Sequence, residues 1–291
     1  GFALPVRAVV LALSQLGRIP RVDSMEWDAV VAAKMESLLP DPEAVRFVTD
    51  TSVPPYVDVA LGELLSGHPE TARLLDVLER NGFGRWIPYA RGHPVFHYVE
   101  TIRDTFRARA SDEAERFRRS CVVSAGWLLQ NDEVDQALRL AIEGGDYDLA
   151  DRIFVSLLVS NPDSYITDRF LPAFRGISDA TLAQHPMLAF GRGVALRANP
   201  ILKGEAPRAF QIAIDSTATP SYIEPTIDVF SLDGMRAIAR RLAGHYREAS
   251  AAGLEVVRSV DALDPELVAQ HGDHVGTVLR QLSYSLLLGG R

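Results

Sequence analysis

Between Val95 and Phe106 the apolar positions change period in mid-stretch. Phe96 and Tyr98 alternate with Val95 and His97, the period of two that a half-buried strand needs. From Val99 onward the period changes: Val99, Ile102 and Phe106 recur at three and four, on one helical face. A short strand therefore runs into an amphipathic helix, and His97 sits at the junction. Upstream the pattern is short helices and a hairpin; downstream it is paired helices.

The chain opens with Leu4 to Leu16, apolar on most sides and so expected as a buried helix, with Pro5 in its first turn. Ser24 is placed to cap a second helix reaching Leu39, and Pro40-Asp41-Pro42 breaks it. Three short helices follow, over 42–50, 56–65 and 69–81, punctuated by Pro54-Pro55 and Ser66-Gly67-His68-Pro69. Gly82 ends the third, where a left-handed residue is wanted. Phe83 to Pro88 and His93 to His97 then form two strands around a turn at Ala90-Arg91-Gly92. Three helices with a two-stranded wing make a winged-helix arrangement.

From Ser111-Asp112-Glu113, expected as a capped helix start, the pattern is helical pairs. Val134, Ala137, Leu138, Ala141 and Ile142 follow the helical template. The turns at Gly145, Gly204 and Gly244 share Gly-x-(Tyr or Ala)-x-x-Ala, ending in Ala150, Ala209 and Ala249, and the last two, with Gly290, suggest a tetratricopeptide-like period. Gly permits the tight turn, and the small Ala lets the second helix lie close on the first. Six prolines between Ser160 and Pro220 are expected to shorten the helices there. The fold expected is mainly α: residues 1–40 a helical segment, 41–110 a winged-helix domain, and 111–291 an irregular tetratricopeptide-like superhelix. Both ends look cut, which suggests a piece of something longer. The last helix, over 266–288, is expected to leave Val275, Val278, Leu279, Leu282 and Leu286 uncovered.

Composition narrows the chemistry. A net charge of −8 argues against broad nucleic-acid binding by this stretch. A single Cys121 allows no internal disulfide, and no apolar run approaches membrane-span length, so a cytoplasmic protein is expected. No phosphate-cradling Gly-x-x-x-x-Gly-Lys-(Ser or Thr), nucleophile elbow or paired zinc ligands occur, so neither an enzyme site nor a metal site is expected. His271 and His274 are spaced to share a metal, but a solvated helix face is the simpler reading. Arg103, Arg107, Arg109, Arg116, Arg118 and Arg119 look like a basic stripe, yet interleaved acids favour local ion pairs. Trp127 and Tyr147 suit inter-helix packing better than a ligand platform.

Three segments carry a resemblance. Phe47 to Val53, Leu74 to Phe83 and Pro94 to Tyr98 resemble the winged helix of MalT-like, LuxR-type regulators, a group of the signal-transduction ATPases with numerous domains. Phe117 to Cys121, with Ala125 to Leu128 and Ala137 to Asp146, is similar to the start of that family's helical sensor arm, and Ile177 to Ala189 to a later turn of it. The resemblance implies a nucleotide-binding domain before this stretch and a DNA-reading domain after it in the parent protein. It implies that His97 reaches the β-phosphate of bound ADP, and that Pro5, in Gly1 to Pro5, contacts the adenine side. ADP or ATP would then be the parent's nucleotide. The arm would meet an inducer or a regulatory protein, and homo-oligomers are possible partners. Without the resemblance, His97 reads as a satisfied strand-end histidine. The alternative function is a stand-alone helical-repeat scaffold that binds a peptide or protein in its groove.

Overall fold

Aspartates start the first two helices among the described residues. A computed structural model describes residues 41–89, 92–160, 167–218 and 227–290. The helices expected over 4–16 and 24–39, together with Pro5, lie outside the described residues. The chain is mainly α-helical, with one two-stranded sheet among the described residues. It divides into two compact units, the first ending at Asp132 and the second beginning at Glu133.

In the first unit, Asp41 accepts from the Glu43 N–H and begins α1 (Pro42–Thr51); Asp58 accepts from the Leu61 N–H at 2.7 Å and begins α2 (Val59–Ser66). Gly67, at φ +68°, ends α2 in the left-handed conformation that the lack of a Cβ makes cheap. Helix α3 (Thr71–Arg80) leads through Gly82 into an antiparallel hairpin, β1 (Gly84–Ile87) and β2 (Val95–Tyr98). Helices α4 (Glu100–Asp112) and α5 (Ala114–Gln130) complete the unit.

Four expectations need correction here. The second helix starts at Val59 rather than Tyr56, because Val57 is extended and forms an antiparallel bridge with Phe96. The hydrogen bonds of that bridge are 3.1 and 2.7 Å, so β2 has backbone partners on both edges. Strand alternation also fails at Val95: it is buried along with Phe96 and Tyr98, and His97 alone of the four is half-exposed. Val99 is extended at the helix start rather than on its buried face, which Ile102, Thr105, Phe106 and Ala110 make instead. Finally, α4 runs through Ser111, whose hydroxyl donates back to the Ala108 carbonyl, and the break falls at Glu113.

The core of this unit gathers Phe47, Leu61, Leu75, Phe83, Phe96 and Phe106. Helix α5 belongs to it by packing on α1, α2 and α4. Arg116 of α5 grips the buried Asp50 carboxylate of α1 with two bonds, 2.6 and 2.8 Å. The pair ties α5 to α1 within the first unit, which runs to Asp132.

The second unit is a succession of helices: α6 (Val134–Glu143), α7 (Tyr147–Ser160), the short α8 (Asp179–Gln184), α9 (Pro186–Ala198), α10 (Ala206–Asp215), α11 (Ile227–Leu242), α12 (Tyr246–Ser259), the short α13 (Pro265–Gln270) and α14 (Gly272–Leu288). Pairs α6/α7, α9/α10 and α11/α12 pack on each other, and each long helix also meets the next. Gly145 and Gly244 turn at φ +72° and +94°, whereas Gly204 sits in a 3-10 turn, so the three similar turns are built two ways. Ala150, Ala209 and Ala249 are buried, as a close second helix requires. Pro186 and Pro207 occupy first helical turns, so they start helices rather than cut them short.

The end of the chain departs from expectation. His271 interrupts the helix expected over 266–288. Val275, Val278 and Leu282 are buried against α11 and α12, with Val278 lying on Gly234 and Leu282 on Gly253. Leu279 and Leu286 are half-buried, and the exposed large apolar side chains are Tyr284, Leu287 and Leu288. The face stays covered because α14 continues the stack as the next helix.

Candidate functional site

His97 is positioned by the hairpin. It faces Arg85 across the strand pair, and Gly84 lets the strands approach, since a Cβ there would run into the His97 carbonyl and the Phe96 ring. The imidazole lies over Tyr56, with ring centroids 5.4 Å apart and planes 31° apart. Tyr56 in turn touches Tyr89, hydroxyl to hydroxyl at 3.0 Å, and meets Trp127 edge-on at 6.0 Å. Partial burial, then the guanidiniums of Arg85 and Arg103, hold the His97 pKa below its ordinary value. A neutral imidazole in a positive local field results: one N–H to donate, beside two cations that favour an anion. Pro5, the other residue implied as a nucleotide contact, lies outside the described residues.

The neighbouring strand residue has a structural task. The Tyr98 hydroxyl bonds Thr51 Oγ1 at 2.6 Å, and that hydroxyl donates to the Phe47 carbonyl, which fixes β2 to α1. Burial pushes the Tyr98 phenol far above its ordinary range, so it stays protonated.

The supposed basic stripe is dispersed. Arg116 pairs with Asp50 and Glu113, and Arg118 with Glu115. Arg107 bonds the Val53 carbonyl and lies over Phe117, while Arg109 lies over Phe106. Trp127 packs on Tyr56, and Tyr147 lies 5.7 Å from the His185 ring. His274, expected on a solvated face, is buried. Ser231 donates to the Ile227 carbonyl, which leaves its oxygen to accept from His274 Nε2 at 2.7 Å. Among the described residues no group of His, Cys, Asp or Glu is arranged to hold a metal.

Three clefts of the second unit are lined by described residues. One of about 490 Å³ is lined by Arg139, Glu143, Tyr147 and Arg175; a second, about 440 Å³, by Asp179, Glu205, Arg192 and Arg208. In the second, Asp179 already takes both arginines, Arg208 at 2.5 Å and Arg192 at 3.6 Å. The third, about 340 Å³, lies between α9, α11 and α14 and is lined by Phe190, Val194, Arg197, Ala198, Ile238, Arg241, Leu242 and Gln281. Nothing in the linear pattern pointed to these residues, which lie on three helices far apart in the chain. The second unit also contains a buried acid missed in the sequence: Asp151 accepts from the Leu188 N–H at 2.7 Å, capping α9 from another helix.

No protein-family model matches the chain, and neither a curated protein nor a solved structure does. Among the described residues no helix is long and apolar enough to cross a membrane.

Proposed function

We propose that the chain is the regulatory part of an ATP-dependent, LuxR-type transcription regulator of the signal-transduction ATPase class. In this reading the first unit is a winged helix that senses nucleotide state. The second is a tetratricopeptide-like arm that receives an inducer or partner and passes the signal to oligomerisation and DNA binding. The reading is supported most by His97: a half-exposed, neutral imidazole on the second strand of the hairpin, with Arg85 and Arg103 in its field. Such a group donates to a nucleotide phosphate while the guanidiniums supply positive potential. Chemistry on the nucleotide belongs to a domain outside this stretch, which carries no phosphate-cradling loop of its own.

The test has two parts. The reading frame encoding this chain should hold a phosphate-binding loop upstream and a helix-turn-helix downstream. In that longer protein, His97→Ala should speed ADP release and raise inducer-independent output. A hydrogen bond to a charged group contributes roughly 1.5–3 kcal/mol, enough for a tenfold shift between two states. The fold should survive, because the core residues are Phe96, Ile102 and Phe106. Unchanged ADP release in a folded variant returns His97 to a structural strand-end residue. The competing reading, a stand-alone scaffold for a peptide, draws on the cleft between α9, α11 and α14, and a reading frame without the flanking domains favours it.

A further inference from the structure

The cleft between α9, α11 and α14 differs from its neighbours in charge. Its floor is apolar: Phe190, Val194 and Ile238 are all buried. Two arginines stand among the lining residues, and no acid does, in a chain whose net charge is −8. The other two clefts each include at least one carboxylate beside their arginines. Basic residues in a last helical turn commonly offset the helix dipole, and Arg197 and Arg241 are both in last turns. Dipole compensation alone, however, does not place two such residues on one apolar cleft. Arg241 is aimed by Gln281, whose amide oxygen it reaches at 2.8 Å, and by the Tyr284 ring at 6.0 Å. Arg197 is exposed and makes no hydrogen bond or ion pair with the described residues.

We infer that this cleft binds a small amphipathic carboxylate, its apolar body on Phe190, Val194 and Ile238 and its anionic end between Arg197 and Arg241. The inference rests on the reading of the second unit as a sensor arm and names the chemical class of its ligand. The volume sits at the low end for small-molecule sites, which favours a compact acid over a folded partner. Guanidinium presents paired donors that match a carboxylate, whereas an alcohol of the same length gains only the apolar contact.

Titration calorimetry on the chain as it stands, with decanoate and decanol each below its aggregation threshold, tests this. Decanoate should bind at one site, at least about tenfold tighter than decanol, and Arg197→Gln should weaken decanoate about tenfold with decanol unchanged. The melting temperature of Arg197→Gln should match the parent chain, because that side chain is exposed. Ala198→Trp, on the exposed rim, should block both ligands. Equal affinity for acid and alcohol, or no binding of decanoate, overturns the assignment. Tighter binding of a tripeptide ending in leucine with a free carboxylate also overturns it, in favour of a peptide groove. None of these results bears on the flanking domains, so the regulator reading stands or falls separately by its reading frame.

Discussion

The two units solve the packing problem by different means. The described residues up to Asp132 close over a core of phenylalanine rings and aliphatic side chains and tie distant parts together with polar bonds. Tyr98 reaches Thr51 across 47 positions, and Arg116 reaches Asp50 across 66. From Glu133 onward, each long helix packs chiefly on its sequence neighbours. Close approach there comes from small residues under rings: Gly191 lies beneath Phe154 and Gly193 beneath Phe210, where a Cβ would come within 2.7 and 2.6 Å of the ring. A unit held by long-range ties should yield as a whole, and one held by neighbours should yield piecewise.

The sharpest way to break that contrast is a matched pair of deletions. Phe96→Ala and Phe210→Ala each empty a site that is 0% exposed and should each cost about 4 kcal/mol. Hydrogen exchange should show Phe96→Ala weakening α1 to α5 together, and Phe210→Ala weakening α9, α10 and α11 alone. Equal spread in both variants would remove the distinction.

A smaller effect is expected at the ion pair. Arg116→Leu strands the Asp50 carboxylate, whose side chain is only 7% exposed. The loss should be about 3 kcal/mol, at the low end for breaking a buried pair because Arg116 itself is 22% exposed. The pairing with Asp50, then its field and that of Glu113, outweigh burial and raise the Arg116 pKa, so the guanidinium stays charged in the native unit. Denaturant midpoints for Arg116→Leu and for the surface variant Arg118→Leu measure this; similar midpoints would mean that α5 is not held by the pair.

The smallest expected effect is with pH, and it should be common to both units. Burial lowers the pKa of His97 in the first and of His185 in the second, against the opposing pull of Asp148 and Asp146 at His185. A histidine depressed in the fold binds its proton more readily when unfolded. Its contribution is therefore complete above the ordinary value of 6.5 and is lost as pH falls below it toward the folded value. Melting temperature should drop from pH 7.5 to pH 5, and His97→Gln should reduce the drop while leaving the part due to His185. A drop of the same size in His97→Gln would place the acid sensitivity elsewhere.

Local chemistry is legible in the order of the residues alone. The three short helices, the hairpin, the change of period after His97 and the helix over 134–143 all follow from apolar spacing, caps and glycines, which act within a few residues. Much of what failed was set by partners from afar. Val57 leaves the helix pattern because its backbone pairs with Phe96; the Ser111 miss is local, a helix that runs on past it. The expectation of an uncovered face on α14 failed for the same kind of reason as at Val57, since α11 and α12 supply the cover. Tertiary structure alone decided that His97 lies against Tyr56, and that Arg197 and Arg241 share an apolar cleft. Both arrangements join residues whose separation along the chain carries no periodic signal; only the packing of elements brings them within reach.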